Sequence, residues 1–208
     1  MDILKQLSSQ NDDRTSQSNK TVAEICIQNP KLVVEIVTGL SSKDIEMIKD
    51  CTEVLTLIAE KKPEAVAPFA KQIAPILSHK NTQARWEAAH ALSFVAPLSP
   101  DVILSVLDRF EAIIQNDSSI IVRDYSVDAV ANFAKTGKNE AEKAYPILKK
   151  SLSLWNGKHA HHAFPGLESV AKFIPNLRKE VVELIEPFTE EKRAVVSKSA
   201  KSLLKKLQ

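Results

Sequence analysis

The sequence predicts an all-α protein, a right-handed α-α superhelix (α-solenoid) built from about six stacked helix pairs. Two observations carry this. The 208 residues contain only four glycines, whereas a β-sheet protein of this size needs many for its tight turns. Apolar residues also recur with helical spacing inside a longer period, the mark of a repeat architecture. The segment from Ala84 to Ala96 aligns with that from Val122 to Ala134, bringing arginines 85 and 123, small residues 88 and 126, and aliphatic residues 92 and 130 into register. The anchors Leu55, Leu92, Val130, Val170 and Leu204 lie 37, 38, 40 and 34 positions apart. A fainter copy at Ser18, Thr21, Val22 and Ile25 completes six repeats.

Within a repeat, positions 122, 126, 129, 130 and 133 share one face of a helix, because these spacings fall together at 3.6 residues per turn. That face is expected to be buried. Its small members, Ala88, Ser126, Gly166 and Ala200, let a neighbouring helix approach closely. The first helices of the pairs are read at 30–40, 63–78, 99–115, 139–154 and 177–188. Pro63 and the run Ser99-Pro100-Asp101 place proline in the first turn, where its missing donor costs nothing. Pro68, Pro75, Pro146 and Pro187 fall inside these first helices and are expected to bend them. Connections such as 79–82, 116–119 and 136–139 are short and polar. With no long linker, the expectation is one domain over 1–208, with repeats near 1–28, 29–60, 61–97, 98–136, 137–174 and 175–208. Ile3, Leu4 and Leu7 form one apolar stripe, so the first 13 residues are expected to dock rather than fray.

A chain that is 44% hydrophobic and 26% charged is globular rather than disordered. Its formal charge of +2 gives no global attraction to nucleic acid or to an anionic membrane. Charge is nevertheless uneven. Residues 1–104 hold 11 Lys+Arg against 13 Asp+Glu, and residues 105–208 hold 17 against 13, so the halves carry −2 and +4. The excess lies in Lys135, Lys138, Lys143, Lys149, Lys150 and Lys158 and in a last helix with no acid after Glu191. Such a helix reads as a solvated cap whose cations complement the helix dipole, or else as a contact for an acidic partner or nucleic acid. Cys26 and Cys51 fall in apolar helical patterns and are expected as reduced core residues. Neither a signal-peptide core in residues 1–13 nor an apolar run of 18 residues is present, so the cytoplasm is the default location and no membrane contact is expected.

The run Asp117-Ser-Ser-Ile-Ile-Val122-Arg123, followed by Ser126, Ala129 and Val130, resembles the second-helix signature of HEAT repeats, the armadillo-like α-solenoids. The resemblance covers nearly the whole chain as architecture. It implies a concave face lined by second helices that binds extended partners, and an arginine–aspartate ladder between adjacent repeats. That ladder is partial here, because only Asp117 and Arg123 supply both members. Arg85 has His79 at the aspartate position, and Ala163 and Ser197 replace the arginine in the last two repeats.

Three histidines, His159, His161 and His162, stand at the start of one second helix. His159 and His162 have the i,i+3 spacing of metal ligands, but a metal site needs further donors and none is signalled nearby, so a polar helix start and no metal are expected. HEAT-like di-iron hydroxylases carry repeated His-Glu pairs. This chain has none, and shows Trp86-Glu87 in the matching region. The helical-repeat alkylpurine DNA glycosylases grip a duplex with basic, aromatic and acidic side chains, and Arg85, Trp86, Arg123, Asp124, Asp128, Trp155 and Lys158 supply those types without matching that active site residue by residue. Packing near helix ends is the plainer reading of Trp86 and Trp155. The function expected is therefore a non-catalytic scaffold or adaptor that binds protein partners, without cofactor or small-molecule substrate. The expected contacts are Arg85, Trp86, Arg123, Asp124, Asp128, His161 and His162. The alternative is a nucleic-acid-binding protein, similar to those glycosylases, using the basic C-terminal half.

Overall fold

A computed structural model describes residues 2–207, and among them every regular element is helical. The outermost positions of the first and last expected repeats, 1 and 208, lie outside the described residues. The chain divides into two compact units, residues 1–102 and 103–208, with the division inside helix α7 (Pro100–Ser105).

In the N-terminal unit, the second helices are α1 (Gln17–Gln28), α3 (Ile45–Lys61) and α6 (Thr82–Val95). They stack in chain order, α1 on α3 and α3 on α6. Capping side chains start two of them: Asp44 accepts from the Glu46 amide at 3.0 Å and Asn81 from the Ala84 amide at 3.0 Å, each satisfying a donor the first turn leaves open. The outer layer is segmented. Residues 30–41 form short α2 (Val33–Thr38) between two 3₁₀ turns, and residues 63–78 form α4 (Pro63–Val66) and α5 (Ala70–Ile73), each followed by a 3₁₀ segment containing a proline, Pro68 or Pro75. Proline lacks the N–H that an α-helix donates to the residue four back, so the breaks fall where the sequence places them. The N-terminal segment docks through 3₁₀ turns, with Ile3 and Leu7 fully buried. Asn19, also fully buried, fastens it. Its carboxamide oxygen accepts from the Ser8 amide at 2.9 Å, and its Nδ2 donates to Asp50 at 2.9 Å and Glu53 at 3.0 Å.

In the C-terminal unit, the second helices are α9 (Ile120–Ala134), α11 (Ala160–Phe173) and α13 (Ala194–Leu207), again stacked in order. Beside them run α8 (Leu107–Asn116), α10 (Lys138–Ser151) and α12 (Arg178–Ile185). Phe110 and Phe133 are fully buried, and each contributes roughly 2–3 kcal/mol of apolar burial. The small-residue rule shows most clearly at Gly166. A Cβ there would lie 2.7 Å from the Ala131 Cα and 2.6 Å from a Leu148 methyl, so α11 approaches α9 as closely as glycine permits.

Several expectations need correction. The first helix expected at 99–115 breaks at Val106, which is not preceded by proline, whereas α10 runs on through Pro146. Pro187 does lie in a 3₁₀ segment that follows α12. The anchors Leu55, Leu92, Val130 and Val170 are fully buried, but in the last repeat the buried position is Leu203, while Leu204 is half-buried. Cys26 and Cys51 are free and buried, and burial pushes their thiols up to about 11 and about 12. Among the described residues no helix is long and apolar enough to cross a membrane.

Candidate functional site

The repeat arginines are structural first. Arg85 Nη1 donates to the His79 carbonyl at 2.9 Å and the Lys80 carbonyl at 3.1 Å. Arg123 Nη1 donates to the Asp117 carbonyl. In both repeats the guanidinium reaches the main-chain oxygen six residues upstream and ties the second helix to the end of the first. A backbone acceptor explains why histidine can stand at 79 where the ladder pattern wants aspartate. It also corrects the expectation of an exposed Arg123: that residue is 3% exposed.

Around Arg123 a buried polar chain runs from α9 to α11. Its guanidinium stacks 3.8 Å over the Trp155 ring, and the Trp155 indole donates to the Ile114 carbonyl at 2.9 Å. Trp155, Asn156 and Gly157 all have left-handed backbone, with φ of 52°, 56° and 67°, a conformation unfavourable for side-chain-bearing residues. The indole bond and the stacking hold that turn. Arg123 Nε donates to His159 Nε2 at 3.0 Å. Arginine can only donate, so His159 Nε2 carries its lone pair and its proton sits on Nδ1, 2.5 Å from Asp124 Oδ1. His159 is fully buried and is thus a neutral link between guanidinium and carboxylate.

His162 lies at the more open end, with Nδ1 2.9 Å from Asp128 Oδ1 and Nε2 3.4 Å from Asp124 Oδ1. Burial alone would lower its affinity for a proton, but the hydrogen bond to Asp128 and the charges of Asp128 and Asp124 outweigh burial, and its pKa is raised above 6.5. The neighbouring ring of His161, 4.1 Å away between centroids, shifts the other way. Burial lowers it first and the His162 charge second, with Arg193 adding to them against Asp124 and Asp128. Protonated His162 therefore stabilises the fold at and below pH 6.5, and that stability is lost as pH rises through its higher folded pKa. Urea unfolding of the parent and of His162→Gln across a pH series is expected to show the difference in stability shrinking as pH climbs above 6.5. A difference constant with pH would contradict this coupling. His161 acts below pH 6.5, where the unfolded chain binds its proton more readily, so the two effects separate by window.

In the N-terminal unit, Trp86 is half-buried and its indole donates to Glu87 Oε1 at 2.7 Å. Burial pushes the Glu87 carboxyl up, against the Trp86 and Thr56 bonds. A cleft of about 570 Å³ in this unit is walled by Asp12, Asp13, Asp44, Glu46, Asp50 and Glu53, with Arg14 and Lys49 as its cations. Sequence reading missed this acidic opening, because its carboxylates come from the N-terminal turns and α3.

Of the expected contacts, the structure brings Arg123, Asp124, Asp128, His161 and His162 together on α9 and α11, with Arg85 and Trp86 in the other unit. It adds His159 and Trp155. Aspartates do approach the histidines, as the sequence did not signal, yet among the described residues no three His, Cys, Asp or Glu side chains are placed to hold a metal ion.

No protein-family model matches the chain, and no curated protein matches it in sequence. Its fold is similar to that of solved structures. A designed armadillo repeat protein in complex with the peptide (KR)4 superposes with a TM-score of 0.76 at 18% identity, covering 99% of this chain and 98% of that one. Computationally designed armadillo repeat proteins for modular peptide recognition give 0.72 at 16% identity, covering 98% and 97%. An engineered protein gives 0.70 at 20% identity, covering 99% and 94%. The chain is thus an all-α solenoid of the armadillo/HEAT-like helical repeat type. At these identities the likeness establishes fold alone.

Proposed function

We propose that the chain is a non-catalytic scaffold or adaptor, a single solenoid domain that binds a protein segment on its second helices. The observation that carries this reading is the set of polar and aromatic side chains those helices leave part-open above a fully packed face. Asp124, Asp128 and His162 keep 23%, 31% and 21% of their side chains exposed, and Arg85, Trp86 and His161 are also part-exposed. Asp124, Asp128 and His162 are held by hydrogen bonds between α9 and α11, so a partner meets side chains whose ordering entropy is already spent there. Arg123 supports this surface from beneath rather than touching the partner.

Neighbours of the same fold were designed for peptide recognition, which favours a peptide-like segment over a folded domain as the partner. Asp124 and Asp128 are engaged by histidines, which argues against the alternative in which one of them is a free acid for base excision. Selection of a displayed random-peptide library on the intact protein tests the reading. Binders are expected to be recovered and to lose roughly tenfold or more in affinity for Trp86→Ala or for Asp128→Ala, each tested by itself, as truncated hot spots do. Binders indifferent to those substitutions would overturn the placement.

A further inference from the structure

A second, separate opening in the C-terminal unit lies between α11 and α13. It has a volume of about 300 Å³ and is lined by His161, Phe164, Pro165 and Glu168 from α11 and by Lys198, Ser199, Ser202, Leu203 and Lys206 from α13. The helix α13 carries four lysines and no acid, but only two of them line this opening. Lys198 and Lys206 turn toward it, together with the serines one turn apart, whereas Lys201 and Lys205 do not. Lys206 holds the sole lining carboxylate, Glu168, at 2.8 Å. Two of the four cations and two hydroxyls thus border one opening, along about two turns of α13.

The α11 wall supplies a third kind of donor. Nδ1 of His161 is buried without a hydrogen-bond partner. An orphaned lone pair there is less costly than an orphaned N–H, since a buried unsatisfied donor forfeits its full hydration. The proton therefore belongs on Nε2, leaving the imidazole neutral with one N–H to give. Phe164, Pro165 and Leu203 form an apolar wall beside these donors.

We propose that this opening is a binding site for a phosphate monoester carried on a peptide side chain, with Lys198, Lys206, Ser199, Ser202 and His161 as donors and the apolar wall taking an adjacent aliphatic or aromatic residue. A phosphomonoester offers three oxygens and nearly two charges at neutral pH, which matches two ammonium groups and three neutral donors in one small opening. A nucleic-acid strand instead needs a longer row of cations and bases stacked on exposed rings, whereas this opening has two lysines, one of them paired with Glu168, and a buried Phe164. The opening shares His161 with the part-open surface of the proposed scaffold but owes its lysines and serines to α13, which that surface does not use, so inorganic phosphate and the α13 lysines probe it separately.

The test is titration of the intact protein with inorganic phosphate, a phosphoserine peptide, its unphosphorylated twin and an oligothymidylate, followed by NMR of the histidine rings and by fluorescence anisotropy. The phosphopeptide is expected to bind, to perturb His161 before His79 or His90, and to raise the pKa of His161 against the lowering influences of burial, His162 and Arg193. Lys198→Ala/Lys206→Ala is expected to weaken it by roughly tenfold or more, as loss of charge-assisted bonds does. The charge-matched Lys201→Ala/Lys205→Ala should change it less than about threefold, within the weak effect of peripheral charges. Glu168→Gln should tighten binding, because it removes the one repelling carboxylate. Equal losses in the two lysine pairs, a twin peptide that binds as well, or preference for the oligothymidylate would each overturn the site.

Discussion

Arg123→Ala is expected to destabilise the protein by about 3 kcal/mol, the size seen when one member of a buried, hydrogen-bonded polar set is removed. The substitution deletes the bond to the Asp117 carbonyl and the bond to His159 Nε2, and it removes the guanidinium that covers Trp155. His159 is left fully buried with an empty acceptor, still donating to Asp124. Arg85 occupies the same repeat position and makes the same carbonyl contacts, yet it is part-exposed. Water can replace its bonds, so Arg85→Ala should cost about 1 kcal/mol. Urea denaturation of both variants measures the contrast. Equal losses would mean that the carbonyl tie alone matters and that the chain through His159 adds nothing.

Gly166→Ala is the second large effect, about 2 kcal/mol or more, because overpacking a tight helix contact forces backbone apart. A new Cβ would sit 2.7 Å from the Ala131 Cα. The obstruction is main chain and cannot swing aside as the Leu148 methyl could. In an exposed helix the same change would be stabilising by nearly 1 kcal/mol through propensity, so even the sign of the result reports the contact. Thermal denaturation of Gly166→Ala, Leu148→Ala and the double variant divides the two obstructions: Leu148 is fully buried, so Leu148→Ala is itself costly, and the coupling energy of the cycle reports the methyl clash alone.

The second helices were legible because their buried stripe recurs with the repeat. Ser126, Ala129, Val130 and Phe133 are all buried, as the 3.6-residue spacing required. First helices were less legible. Pro68 and Pro75 coincide with 3₁₀ segments, yet Pro146 does not interrupt α10, since tertiary packing decides whether a lost backbone bond becomes a break. The ladder was legible only in part: the arginines were visible, but the main-chain oxygens they also bind leave no trace in residue type.

The polar chain was visible only in part, for a reason the repeat itself supplies. Arg123 meets His159, Asp124 meets His159, and Asp128 meets His162 at separations of 36, 35 and 34 residues. Asn19 meets Glu53 at 34 and Thr56 meets the Glu87 carbonyl at 31. Side chains about one repeat apart face each other on adjacent second helices, so pairing polar residues across that interval would have found His159 beside Asp124. Trp155 escapes this rule, because it lies in a left-handed turn outside the repeat register.

The most direct test of the scaffold reading is amide chemical-shift mapping of the intact protein with a peptide recovered by display selection. Perturbations centred on the exposed positions of α6, α9 and α11, among them Trp86, Asp128 and His162, are the predicted result. Perturbations confined to the first helices, such as α8, α10 and α12, would contradict it and move partner binding to the opposite layer.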